Sequence, residues 1–147
     1  MGHEGIETPK YMVIPASRWF VGFSDGKIRR PWKWFTKPGF CHVWAATYVA
    51  ELDHWVFVEW MSNRLFMEIL AGIQMEALFQ HTSENGTLLE IGVSEKPNPR
   101  HAPLMPIYCV SWVQHLIGIS GIIITPWQLF CALKKHGGKV IFQNHNY

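Results

Sequence analysis

Charge is what this chain has least of: 16% of its 147 residues are Asp, Glu, Lys or Arg, and the formal net charge is only +2. So small an excess excludes the broad basic field of a dedicated nucleic-acid binder. Together with a hydrophobic content of 48% it also argues against disorder and for one compact domain over residues 1–147, with residues 1–10 as a loose polar arm. Cysteine is scarce too. Three thiols cannot form a complete set of internal bridges, which excludes a disulfide scaffold and makes a reducing compartment, the cytoplasm, the expected location. The N-terminus lacks the charged, apolar and small-residue regions of a secretory signal. Met1-Gly2 is followed by Ile6 where a myristoylation start requires Ser or Thr.

One long segment is empty of charge. Leu104 to Thr125 holds no Lys, Arg, Asp or Glu and is long enough for a membrane span, but Pro106, Gln114, His115, Ser120 and Gly121 interrupt it. A buried helix followed by a turn and a short apolar strand accounts for it, and no transmembrane span is expected.

Aromatic and β-branched residues are abundant, with eight Trp and nine Phe. Tyr11–Ile14, Arg18–Phe23, Phe40–Val49, Trp55–Trp60 and Thr87–Val93 read as strands, and Arg64–Leu70 continues the sheet. The period over Gly72–Gln80 is ambiguous, although Met75, Leu78 and Phe79 suit a helical face. Ser83-Glu84-Asn85-Gly86 reads as a turn, and the proline-rich stretch from Lys96 to Pro106 as a loop. Cys109, Trp112, Val113, Leu116 and Ile117 fall on one helical face. Thr125, Pro126 and Gly137-Gly138 bound a second helix, and Lys139–Gln143 closes the domain as a strand. The expectation is an α+β fold, an antiparallel sheet of five to six strands packed against two or three helices.

Three side chains carry the chemistry. Cys109 opens a helix, where unpaired N–H groups and partial positive charge stabilise a thiolate and an oxyanion. His42 lies near a strand start in an apolar setting, and Glu59 sits between aromatic and β-branched residues, where an unpaired acid is costly. With a hairpin loop over Val49–Leu52, Tyr48 pairs with Asp53 and His42 falls directly opposite Glu59. A tighter turn on Leu52-Asp53 puts Asn63 there instead, so Asn63 is the reserve for orienting the imidazole. A nucleophile, a base and an orienting acid are the parts of a cysteine acyl-transfer site, in the chain order His, Glu, Cys.

Cys41 and Cys131 suit the ordinary reading of a buried structural cysteine. Zinc on His42 and Glu59, with Cys109 or His115 as a third ligand, is a lesser alternative because no short-spaced ligand pair is present. No metal or other cofactor is expected. The cluster Lys27, Arg29, Arg30, Lys33 and Lys37, interleaved with Trp32, Trp34 and Phe35, reads as a solvated loop with anchoring aromatics, and nucleic acid is not an expected partner.

Cys41-His42-Val43-Trp44, Val58-Glu59-Trp60, Tyr108-Cys109-Val110-Ser111-Trp112-Val113 and Thr125-Pro126, in this order over residues 40 to 135, resemble the motifs of the circularly permuted NlpC/P60 cysteine peptidases. That papain-like group includes the YiiX-type and lecithin:retinol acyltransferase-type enzymes. The resemblance implies a permuted papain-like architecture, with Cys109 as nucleophile, His42 as base and Glu59 as orienting residue. It also implies the Cys109 N–H in an oxyanion hole and Tyr108 and Trp44 beside the substrate. Peptide, amide or ester substrates follow from it, peptidoglycan peptides foremost, with a lipid ester second.

The chain departs from the pattern at Trp44, where the family has glycine. It also departs in lacking an evident Gly-Asp opening strand motif and the acidic residue soon after the nucleophile. A compact, tryptophan-rich chain of this sort also resembles small phage-encoded members, which implies a virion as the second location. The alternative function is a catalytically inactive relative, an interaction or virion structural protein using a Trp-rich binding surface.

Overall fold

The computed structural model describes residues 18–25, 36–61, 64–93 and 108–144. The arm at residues 1–10, the segment Tyr11–Ile14, most of the basic and aromatic cluster, the loop Lys96–Pro106 and Asn63 lie outside them.

Among the described residues, six strands form one antiparallel sheet: β1 (Arg18–Ser24), β2 (His42–Val49), β3 (His54–Met61), β4 (Arg64–Leu70), β5 (Gly86–Gly92) and β6 (Lys139–Gln143). Their order across the sheet is β4-β3-β2-β1-β5-β6. Three helices among the described residues complete the α+β fold: α1 (Gly72–Asn85), α2 (Cys109–Ile117) and α3 (Pro126–Lys135). Side chains alternate between the two faces of a strand, so each strand feeds two cores. Val21, Phe23, Val43, Ala45, Val58, Leu89 and Ile91 pack against Val110 and Val113 of α2 and Leu129, Phe130 and Leu133 of α3. On the other face Phe20, Trp44, Ala46, Phe57 and Leu88 meet Met75, Leu78 and Phe79 of α1.

The ambiguous stretch after β4 is therefore helical, and Met75 is its buried anchor. The turn expected at Ser83–Gly86 does not form as a separate feature. Thr82 Oγ1 donates to the Leu78 carbonyl, Ser83 Oγ to that of Gln80 and Asn85 Nδ2 to that of His81, so these polar side chains bond back onto the helix and carry it to Asn85. The short strand expected before Thr125 is also absent. Gln114 Nε2 donates to the Gly121 carbonyl and the Tyr108 hydroxyl to that of Ile124, so side chains satisfy this segment in place of a ladder, and Ile122 and Ile124 are exposed.

Helix ends follow the chemistry of their caps. Gly118 takes φ 79° and returns its N–H to the Gln114 and His115 carbonyls, closing α2 in a left-handed geometry that glycine adopts without a Cβ penalty. At α3, Thr125 Oγ1 accepts from the Gln128 N–H and Gln128 Oε1 accepts from the Thr125 N–H, a reciprocal capping box.

Gly22 in β1 pairs with Trp44 in β2, and a Cβ at Gly22 would lie 2.0 Å from the Trp44 ring. The indole occupies the space that a side chain would fill. Gly22→Ala is expected to destabilise the fold by about 1–3 kcal/mol through overpacking, read as a lower denaturant midpoint at unchanged slope.

Candidate active site

β2 starts at His42, at the rim of the sheet. The hairpin that follows has four residues between the strands: Val49 pairs with His54, Leu52 and Asp53 donate N–H to the Val49 and Ala50 carbonyls, and Asp53 takes φ 52°. Tyr48 is thus opposite Trp55, and Trp44, not His42, is opposite Glu59. The register expected from sequence is off by two residues. A shift of two leaves every side chain on its own face, so His42 and Glu59 become diagonal neighbours instead of direct partners. His42 Nε2 donates to Glu59 Oε1 at 2.8 Å, with side chains 16% and 21% exposed. Asp53 does meet Tyr48, through its carboxylate, which accepts from the phenol at 2.6 Å.

Cys109 is the first residue of α2, with Tyr108 as N-cap in an extended conformation. Ser111 Oγ accepts from the Tyr108 N–H and donates to its carbonyl, both at 3.0 Å, which fixes the first turn. The N–H of a helix's first residue has no intrahelical acceptor, and the positive end of the helix dipole lies there. The Cys109 side chain lies beside the His42 ring, close enough to raise its pKa.

The electrostatics follow from that placement. Burial pushes the His42 imidazole down, but hydrogen bonds and charge from Cys109 and then Glu59 outweigh it, raising the pKa from 6.5 to about 9. A ring with this pKa carries its proton throughout the neutral range. Burial, helped by the neighbouring Cys109 charge, also lifts the Tyr108 phenol, whose hydroxyl donates to the Ile124 carbonyl at 2.9 Å. Tyr108 therefore ties the start of α2 to the segment before α3.

The remaining candidates are placed differently. Trp44 flanks Glu59 but is 4% exposed, its ring over Gly22 and against Phe57 in the core beneath α1. His115 is in the last turn of α2, six residues from Cys109 and so roughly 9 Å further along the axis. Among the described residues no group of three or more His, Cys, Asp or Glu side chains is arranged to hold a metal ion. Nor is any helix among them long and apolar enough to cross a membrane.

Cys131, expected to be buried, is exposed: it lies within α3 but outside the Leu129, Phe130 and Leu133 stripe that meets the core. Of the basic cluster, Lys37 is described, and its ammonium sits 3.3 Å from the centroid of the Trp127 ring and 5.9 Å from that of Phe40. It pins the approach to β2 onto α3 by cation–π attraction.

One contributor was not visible beforehand. Asp25 accepts from the Gly39 N–H and, at 3.2 Å, from the Cys41 thiol, which also meets Thr36 Oγ1 at 3.0 Å. The carboxylate thus holds the residues that deliver His42. In sequence, Ser24-Asp25-Gly26 shows only a turn, and nothing local links it to residues fourteen and sixteen positions away.

No protein-family model, curated protein or solved structure matches the chain. Its chemistry is read from its own residues.

Proposed function

We propose that the chain is a cysteine-nucleophile hydrolase or acyltransferase. The observation that carries this reading is the meeting of Cys109, His42 and Glu59 from a helix and two strands up to 67 positions apart, in the relation a nucleophile, a base and an orienting acid require. The resemblance to permuted NlpC/P60 peptidases points the same way and supplies a substrate class, peptide or other acyl carbonyls.

In this mechanism the Cys109 proton has already passed to His42 in the resting site, and the thiolate attacks the substrate carbonyl carbon. The developing oxyanion is held by the Cys109 N–H at the start of α2. Collapse breaks the carbon–nitrogen or carbon–oxygen bond, and the leaving group departs with the proton that His42 carries. Water or another acceptor then loses a proton to His42, attacks the thioester and releases the acyl group. Glu59 keeps the ring in place and stabilises its charged form.

Turnover separates the substrate classes. Incubation with purified peptidoglycan should release new amino groups if the substrate is a peptide amide, and short acyl esters should be cleaved if it is an ester. Either activity should fall by at least about 10³-fold in Cys109→Ala. Turnover that persists in that variant would refute the assignment, and none with any acyl substrate would leave the fold to an interaction role.

A further inference from the structure

We propose that the chain forms a two-fold symmetric dimer by pairing β4 with β4 of a second copy, joining two sheets into one. This inference is independent of the acyl-transfer reading.

Among the described strands, β4 has β3 on one side and nothing on the other. Its seven residues, Arg64-Leu65-Phe66-Met67-Glu68-Ile69-Leu70, contain no Pro, Gly or Lys, and its ladder with β3 runs without a register shift. Edge strands of monomers are usually blunted by lysine, proline, bulges or a covering element, because a bare row of N–H and C=O groups templates further pairing. The opposite edge shows such protection: β6 begins at Lys139, and its ladder with β5 is irregular at Leu88/Leu89. On β4, Leu65, Phe66, Met67 and Ile69 are all exposed, Met67 at 62% and Ile69 at 66%.

Charge selects the occupant. Read antiparallel against itself about Phe66, the strand places Arg64 opposite Glu68 of the second copy, Leu65 opposite Met67 and Phe66 opposite Phe66. The two-fold axis repeats the ion pair on both sides of the centre, so one patch complements itself. Arg64, Phe66 and Glu68 share one face and Leu65 and Met67 the other, so ion pairs flank an aromatic contact while aliphatic contacts close the far side. A centre at Met67 would set Glu68 against Phe66 and Arg64 against Leu70, losing both pairs. Among the described residues, none makes an ion pair or side-chain hydrogen bond with the Arg64 or Glu68 side chain.

Sedimentation of the full chain across the micromolar range should give twice the 17.0 kDa chain mass. Arg64→Glu or Glu68→Arg alone should weaken the dimer by about tenfold or more, since each places like charges opposite one another at two positions. The double variant should restore it, and circular dichroism should show all three variants folded. A monomer throughout that range would overturn the proposal and leave the edge to another protein's strand. Indifference of the dimer to the single reversals would overturn it too, as would open-ended species that grow with concentration.

Discussion

Iodoacetamide at neutral pH is expected to modify Cys109 about tenfold faster than Cys131 or Cys41, although Cys131 is the exposed thiol and Cys109 is half-buried. Access alone predicts the opposite order. Cys131, exposed on α3 and outside the proposed site, serves as the internal standard. Cys109, by contrast, heads a helix and sits beside the protonated His42 ring. In His42→Ala the rate at Cys109 should drop to or below that of Cys131, while Cys131 itself is unchanged. Peptide mapping of the alkylated protein distinguishes the three sites.

The second large effect belongs to Glu59. Its carboxylate is one of two partners that hold His42 at about 9 against the pull of burial. A raised pKa extends the protonated ring upward from 6.5, so in the proposed reaction proton donation to the leaving group should persist through neutral pH and be lost as pH climbs past about 9. Glu59→Gln keeps the size of the side chain but removes the charge. Its alkaline limb should therefore move down toward neutrality, and turnover near pH 8 should fall about 10²–10⁴-fold. His42 ring resonances followed by NMR give the same answer without a substrate. They should titrate near 9 in the parent chain and lower in both Glu59→Gln and Cys109→Ala. An unchanged titration would mean that neither partner sets the charge state of the ring.

Much of this arrangement was readable from residue types. The β-branched and aromatic runs mark the strands, and the Cys109, Trp112, Val113, Leu116 stripe marks α2. Thr125-Pro126 marks the start of α3, because each of these signals is local. The pairing of His42 with Glu59 survived an error in register for a physical reason. The hairpin lacks a diagnostic Asn-Gly, so its length could not be read, but an error of two residues preserves the face of a strand.

Features that depend on distant partners stayed hidden. The packing of Trp44 over Gly22 requires knowing which strands are neighbours, and the bonds of Asp25 to Gly39 and Cys41 require knowing how the chain approaches β2. The Ser83–Gly86 segment misled because Ser, Asn and Gly signal a turn unless their side chains bond back to a helix.

The central claim is that Cys109 becomes acylated with His42 as its base. Mass spectrometry of the protein quenched at short times after mixing with an activated ester tests it most directly. The prediction is a single acyl adduct on Cys109 that decays on longer incubation, absent in Cys109→Ala and formed far more slowly in His42→Ala. Adducts spread over Cys131 and surface lysines, with none favouring Cys109, would contradict it.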